Sequence, residues 1–225
     1  MRRTLARIES LVLSPLGRPG VRLHVTPAAI PAPGQAVLGC RPDADDPYRH
    51  VLLPFALHTN GFSALSPEGA AWQPGEQIDL MGPVGRGFQP PSARRRWLLA
   101  AFGASPEVLL PVLNMGVDRG VGLAMYADSP VPILPPQVEI SLDLEAALDW
   151  ADYTCLAVTA EWLERSDLVA AGLHAARAAR RAEILVVLPM PCGTGICGAC
   201  AVGRGRAARH ACTEGPVFAL EDLVR

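Results

Sequence analysis

The chain has 225 residues, half of them hydrophobic and only 19% charged, which gives ample apolar surface for a real core and excludes the disordered class. Its formal net charge of −2 provides no global field for nucleic acid, and no apolar run approaches the roughly eighteen residues of a membrane span. The basic start Met1-Arg2-Arg3 is followed by Arg7 and Glu9, which interrupt any apolar export segment, so a cytoplasmic location is expected.

Residues 1 to about 90 read as short strands. Thr4 to Leu13, Val21 to Val25, Gln35 to Gly39, His50 to Leu57 and Gln77 to Leu80 are apolar or alternating. Pro/Gly turns divide them, at Ser14-Pro15, Arg18-Pro19-Gly20, Pro31 to Gly34 and Pro74-Gly75. This punctuation predicts a small antiparallel β-barrel. His24 and His58 stand in strand patterns and read as surface or satisfied interior histidines, and Cys40 follows a strand and reads as a free structural thiol. Gly82-Pro83-Val84-Gly85-Arg86-Gly87-Phe88 reads as a rigid bend at the end of the barrel.

From residue 91 the pattern changes to alternating strands and helices. Trp97 to Phe102, Val121 to Tyr126, Val138 to Leu142, Tyr153 to Val158 and Ile184 to Leu188 are apolar strands. Ser105-Pro106-Glu107 is a helix start, with Ser at the cap, Pro next and an acid in the first turn. Pro111 is expected to kink that helix, and Gly116 or Gly120 to end it. Leu144 to Trp150 and Trp162 to Arg181 read as helices, the latter ending in Arg177, Arg180 and Arg181. Such alternation predicts a parallel α/β sheet over residues 91–188, with Cys155 as a buried thiol within it.

Residues 189–225 carry the strongest signal. Cys192, Cys197 and Cys200 are spaced C-x4-C-x2-C, and Cys212 follows after eleven residues. This is the plant-type spacing for a [2Fe-2S] cluster, with all four cysteines as candidate ligands. Gly193, Gly195 and Gly198 suit a loop that turns its backbone N–H groups toward sulfur. A zinc site more often uses two C-x2-C pairs, and only Cys197 and Cys200 form one. His210 would need a second histidine nearby to form a Rieske-like site. The loop before Cys212 holds Arg204, Arg206 and Arg209, a solvated turn or a docking edge for an acidic partner.

With Gly215-Pro216-Val217-Phe218 following, this segment resembles the C-terminus of the dihydroorotate dehydrogenase electron transfer subunit family. Pro33-Gly34-Gln35 and the Gly82 to Phe88 stretch resemble the same family. The resemblance implies a ferredoxin-reductase-like fold with a flavin barrel (1–90), a nucleotide-type α/β domain (91–188) and a cluster domain (189–225). It also implies a redox partner, an FMN-containing dihydroorotate-dehydrogenase-like subunit, in a hetero-oligomer serving pyrimidine biosynthesis.

The chain departs from the family pattern at its other cofactor motifs. The family's Arg-Pro-x-Ser flavin signature reads Leu53-Pro54-Phe55-Ala56 here, without the charge or the hydroxyl. Pro54, Phe55, Gly82, Gly85 and Gly87 remain as a vestigial flavin groove. Arg41 or Arg49 is positioned in sequence to replace the lost charge. The family's glycine-rich nucleotide run reads Ala101-Phe102-Gly103-Ala104-Ser105, and its Cys-Gly-Pro aligns with Cys155-Leu156-Ala157. The reading is therefore an electron-transfer subunit rather than a complete enzyme, with no catalytic residue assigned. It relays single electrons through the cluster, with FAD admitted but doubtful and NAD(P)H not expected. The alternatives are a full FAD-dependent, NAD(P)H-oxidising subunit and a metal-stabilised structural subunit.

Overall fold

The computed structural model of the protein describes residues 2–42, 49–67, 69–164, 182–203 and 208–223. Strands β1 (Arg3–Leu13), β2 (Pro19–His24), β3 (Ala36–Cys40), β4 (His50–Leu52), β5 (Pro54–His58), β6 (Gly61–Leu65) and β7 (Gln77–Val84) form one antiparallel sheet. Its order is β4-β3-β7-β1-β2-β6-β5. The two outermost strands, β4 and β5, are consecutive and joined only through Leu53, so the sheet curls back on itself as a barrel. Side chains alternate along the wall: in β1, Ala6 and Ile8 face the core while Leu5, Arg7 and Glu9 face out. Ile8, Leu23, Leu52, Phe62, Ile78 and Leu80 fill the interior.

Strand β6 is absent from the sequence reading. The segment is short and Gly61 and Ala64 are weak strand formers, and it forms because β2 and β5 flank it on both sides. Pro83 and Val84 also continue β7, so the bend begins only at Gly85.

The second sheet contains β8 (Arg96–Phe102), β9 (Gly122–Ala127), β10 (Val138–Ile140), β11 (Tyr153–Thr159) and β12 (Ala182–Val187), all parallel. A ribbon of β13 (Ala201–Val202) and β14 (Arg209–His210) follows, and then β15 (Val217–Ala219). The sheet order is β10-β9-β8-β11-β12-β15. The sheet expected over residues 91–188 is parallel throughout, and β15, from beyond that range, adds one antiparallel strand at its edge. The chain reverses through the cysteine-rich segment and returns its last strand to the edge of the sheet.

Both faces of this sheet are covered, which explains its continuous apolar strands. Trp97, Leu99 and Ala101 pack toward helix α1 (Leu110–Asp118). Leu98, Ala100 and Phe102 share a core with helix α2 (Leu144–Trp150), helix α3 (Ala160–Glu164), barrel residues and the cysteine-rich segment. A short helix α4 (Leu220–Leu223) ends the described chain.

Pro111 does not kink a helix. A 3-10 turn, Pro106–Leu109, precedes α1, so Pro111 falls in the first turn of α1, where its missing N–H breaks no bond. Gly116 lies within α1, where a Cβ would meet Leu123 and Trp97; the turn beyond the helix falls at Gly120. Of the helix expected over Trp162 to Arg181, α3 reaches Glu164, and Arg177, Arg180 and Arg181 lie outside the described residues.

Candidate metal centre

The cysteine-rich loop leaves the carboxyl end of β12 through Leu188 to Pro191. Gly193, Gly195 and Gly198 then take φ values of 64°, 79° and 71°, a region that side-chain-bearing residues enter only with strain. This backbone path turns amides toward sulfur. Gly195 N–H donates to Cys212 Sγ at 3.2 Å, and Thr194 N–H donates to Cys192 Sγ at 3.4 Å. The β13–β14 ribbon pairs Ala201 with His210 and Val202 with Arg209. Ala211 N–H then donates to the Cys200 carbonyl at 2.9 Å, which sets Cys212 against Cys200. Their sulfurs are 3.3 Å apart in a core shared with Met190, Val202, Ala211 and Phe218. Cys192 is half-buried and Cys197 exposed, and none of the six cysteines is in a disulfide.

Cys200 and Cys212 thus stand as an inner pair, while Cys192 and Cys197 lie nearer the surface, with the Cys197 N–H directed at Cys192. Two thiolates on one tetrahedral metal, each about 2.3 Å from it, lie about 3.7 Å apart, so the inner pair needs little movement to share an iron. Among the described residues no three His, Cys, Asp or Glu side chains are drawn around a single ion position. A two-iron centre asks for two thiolates on each iron. The chemistry of the donor set fits as well. Backbone N–H groups, first of Cys197 and then of Thr194, hold the Cys192 thiol down to about 5. Burial, then the neighbouring Cys200, pushes Cys212 up to about 12, so its proton must leave when a metal binds.

Cys40 ends β3 in the barrel, on a different sheet. Cys155 is fully buried in the middle of β11, beside Tyr153 and Glu183, and burial raises its pKa. It does not lie at a strand's carboxyl end, so its alignment with a thiol near a nicotinamide is not supported. Phase decides this: Cys155 points into the sheet's α1 face with Tyr153 and Ala157. His210 accepts Thr213 N–H at 3.1 Å through its carbonyl, and its ring lies beside Gly195.

The residues of the flavin-type groove are brought together, but against protein. Pro54 and Phe55 are buried where the barrel closes. A Cβ on Gly85 would fall inside the Gly215 carbonyl and within 2.9 Å of Ala211 O. Arg86 N–H donates to that same Gly215 carbonyl, and Val217 N–H donates back to Arg86 O at 3.3 Å. A Cβ on Gly87 would strike Pro33 O, and Phe88 N–H donates to Pro33 O at 2.8 Å. The glycines of the bend are therefore explained by close backbone packing. That packing joins the barrel to the chain on either side of Cys212. Neither arginine compensates for Leu53. Arg41 pairs with Glu76 at 3.2 Å, and Arg49 pairs with Asp79 at 2.6 Å.

A barrel, a doubly covered α/β sheet and a four-cysteine loop together define a ferredoxin-reductase-like protein with an appended iron–sulfur segment. Among solved structures, the NADH-dependent reduced ferredoxin-NADP oxidoreductase of flavin-based electron bifurcation superposes with a TM-score of 0.71 at 19% identity, over 98% of this chain and 90% of that one. A ferredoxin reductase of carbazole 1,9a-dioxygenase superposes with a TM-score of 0.59 at 15% identity, over 82% and 66%. Residues 189–224 match the family described as the iron-sulfur cluster binding domain of dihydroorotate dehydrogenase B. A Thermoplasma acidophilum protein named "Probable dihydroorotate dehydrogenase B (NAD(+)), electron transfer subunit" is 25% identical over 211 residues, 85% of this chain and 80% of that protein. Along most of its length the chain is similar to a dihydroorotate dehydrogenase electron transfer subunit, and residues 189–224 carry the match to the cluster-binding domain.

Proposed function

We propose that the protein is the iron–sulfur electron-transfer subunit of a dihydroorotate-dehydrogenase-type complex, with Cys192, Cys197, Cys200 and Cys212 each giving one thiolate to a single [2Fe-2S] cluster. When bound, the cluster takes up and releases one electron at a time. The observation that carries this reading is the pairing of sulfurs, with Cys200 and Cys212 3.3 Å apart and backbone N–H groups already directed at Cys192 and Cys212. Those amides stabilise thiolate charge and help set the potential, on the order of −400 mV for the plant type.

The chain divides into a barrel to about residue 90, an α/β unit to about 188 and a cluster segment that gives β15 back to the second sheet. The partner is a flavoprotein, and it docks on the cluster end. Ile196, 87% exposed beside Cys197, supplies an apolar contact at the centre of that end. Arg209 is paired with Asp222 at 3.4 Å, and Arg204 and Arg206 lie outside the described residues; basic residues on this edge would steer an acidic partner. Free thiols suit a reducing, cytoplasmic setting. No helix among the described residues is long and apolar enough to cross a membrane.

Flavin is assigned to the partner rather than to this barrel, because Leu53 and Ala56 offer neither charge nor hydroxyl and both nearby arginines are engaged. The name of the Thermoplasma acidophilum relative, which includes NAD(+), favours the fuller reductase as the second reading. Absorbance and iron content of the anaerobically purified protein decide between them. Bands of a [2Fe-2S] centre without flavin support the relay, added stoichiometric FAD restores the reductase, and a colourless zinc protein defeats both.

A further inference from the structure

In open α/β sheets, phosphate-bearing ligands bind beyond the carboxyl ends of the strands, where neighbouring strands send their connections in opposite directions. They rest there on the backbone amides of a helix start. In this protein that point lies between β8 and β11. β8 connects through α1 to β9 on one side, and β11 leads to β12 on the other. Two separate features fill it.

The first is an ion pair at the helix start. Glu107 lies in the 3-10 turn after β8 and is 0% exposed. Its Oε1 accepts Leu16 N–H at 2.8 Å, and its Oε2 accepts Arg18 Nε–H at 3.0 Å and the Ser105 hydroxyl at 3.2 Å. Arg18 also reaches both Glu107 and Ser105 through its terminal nitrogen. Leu16 and Arg18 belong to the turn between β1 and β2, so these bonds come from the barrel. A carboxylate and its arginine thus neutralise each other beside the helix start, and Arg18 is committed to Glu107 and Ser105 rather than free for a phosphate.

The second is a plug at the strand ends. The ring of Phe102, the last residue of β8, stacks on Trp162 of α3 with centroids 4.7 Å apart and planes at 24°, and Tyr126 lies 5.6 Å away on the other side. Gly103 forms a β-bridge directly to Val158, and Trp162 N–H donates to Thr159 Oγ1 at 3.2 Å. Phe102 and Trp162 are 8% and 9% exposed, so the crevice between these strands holds side chains.

We infer that this crevice is a closed joint rather than a dinucleotide site. Arg18, held by the buried Glu107, straps the β1–β2 turn of the barrel onto the helix start of the α/β sheet, and Phe102 with Trp162 fills the space between the strand ends. A pyridine dinucleotide does not fit the residues present, and the α/β sheet acts here as a scaffold for the cysteine-rich loop. The inference does not depend on the relay reading, since it is tested by binding and exchange rather than electron flow.

The test uses the full chain with its cluster loaded. Calorimetric titration with NADH and with NADPH to about 1 mM is expected to give no saturable heat, and amide exchange over residues 101–109 is expected to be the same with and without nucleotide. Arg18→Ala is expected to speed exchange at residues 14–18 and 103–109 at least about tenfold, as the strap opens. Arg18→Lys, which keeps the charge without the guanidinium fork, should fall between the two and serves if the alanine variant does not fold. Saturable NADH or NADPH binding that protects residues 101–107 in the wild type would overturn the inference. So would unchanged exchange over 103–109 in both variants.

Discussion

Two loops leave the carboxyl ends of parallel strands in the same sheet. One follows β12 and carries Cys192 to Cys200; the other follows β8 and carries Gly103 to Glu107. The first keeps its backbone open, with positive-φ glycines and amides directed at sulfur. The second is closed by a buried carboxylate, an arginine from the barrel and a stacked pair of rings. The sheet offers a strand end in both places, and backbone path together with side-chain chemistry separates a candidate metal centre from a structural joint. A fold-level likeness therefore transfers to each loop separately, not to the whole chain.

The sharpest way to break this contrast is at the metal. Cys212→Ser is expected to abolish the [2Fe-2S] spectrum and most bound iron, while Cys40→Ala and Cys155→Ala leave both in place. Anaerobic absorbance with iron analysis reads the result. An unchanged Cys212→Ser spectrum would sink the ligand assignment and move attention to His210.

Next in size is the contact that ties the metal loop to the barrel. Gly85→Ala adds a Cβ inside the Gly215 carbonyl at a φ of 66°. It should destabilise the protein by roughly 2–4 kcal/mol, the sum of backbone strain and overpacking. Urea unfolding measures this, and a change below about 0.5 kcal/mol would mean that the close approach does not exist.

At the closed loop, Glu107→Gln should reduce stability by roughly 1–3 kcal/mol near neutral pH, since it weakens charge-assisted bonds to Arg18. Burial alone would raise the pKa of Glu107, but the bonds from Ser14, Arg18 and the Leu16 N–H outweigh it and hold the carboxyl below its ordinary 4.5. With a depressed folded value, its stabilisation is fully present above about pH 4.5 and disappears as pH falls through the folded pKa. The glutamine variant should lack that acid-side loss. Parallel unfolding curves for the two proteins down to pH 3 would refute the pair's role.

The smallest effect expected is at docking. Ile196→Ser should weaken association with the flavoprotein partner about tenfold, near 1.4 kcal/mol, without altering the cluster spectrum. Affinity should also fall with added salt if basic residues steer the encounter. Equal affinity for wild type and Ile196→Ser would move the interface away from the cysteine-rich loop.

Much of this protein is determined locally. The C-x4-C-x2-C spacing with its glycines shows in the sequence because a cluster loop is built from neighbouring residues, and only Cys212 must come from further along. Most strands of both sheets and the Ser105 cap are likewise short-range properties of period and capping, whereas the choice of Gly120 over Gly116 as the stop came from packing against Trp97 and Leu123. Tertiary structure decided what the same residues meet. Glu107 reads as a first-turn acid, yet it is buried because Arg18, 89 residues earlier, crosses from the barrel to reach it. The Gly82 to Phe88 stretch resembles a cofactor edge, but Gly85 and Gly87 are required by the backbones of Gly215 and Pro33. Strand β6 exists because β2 and β5 pair with it on both sides, and the reversed β15 because β12 leaves an edge to fill. Pairings of this kind depend on which distant segments arrive at one point, and no local pattern of period or spacing records that.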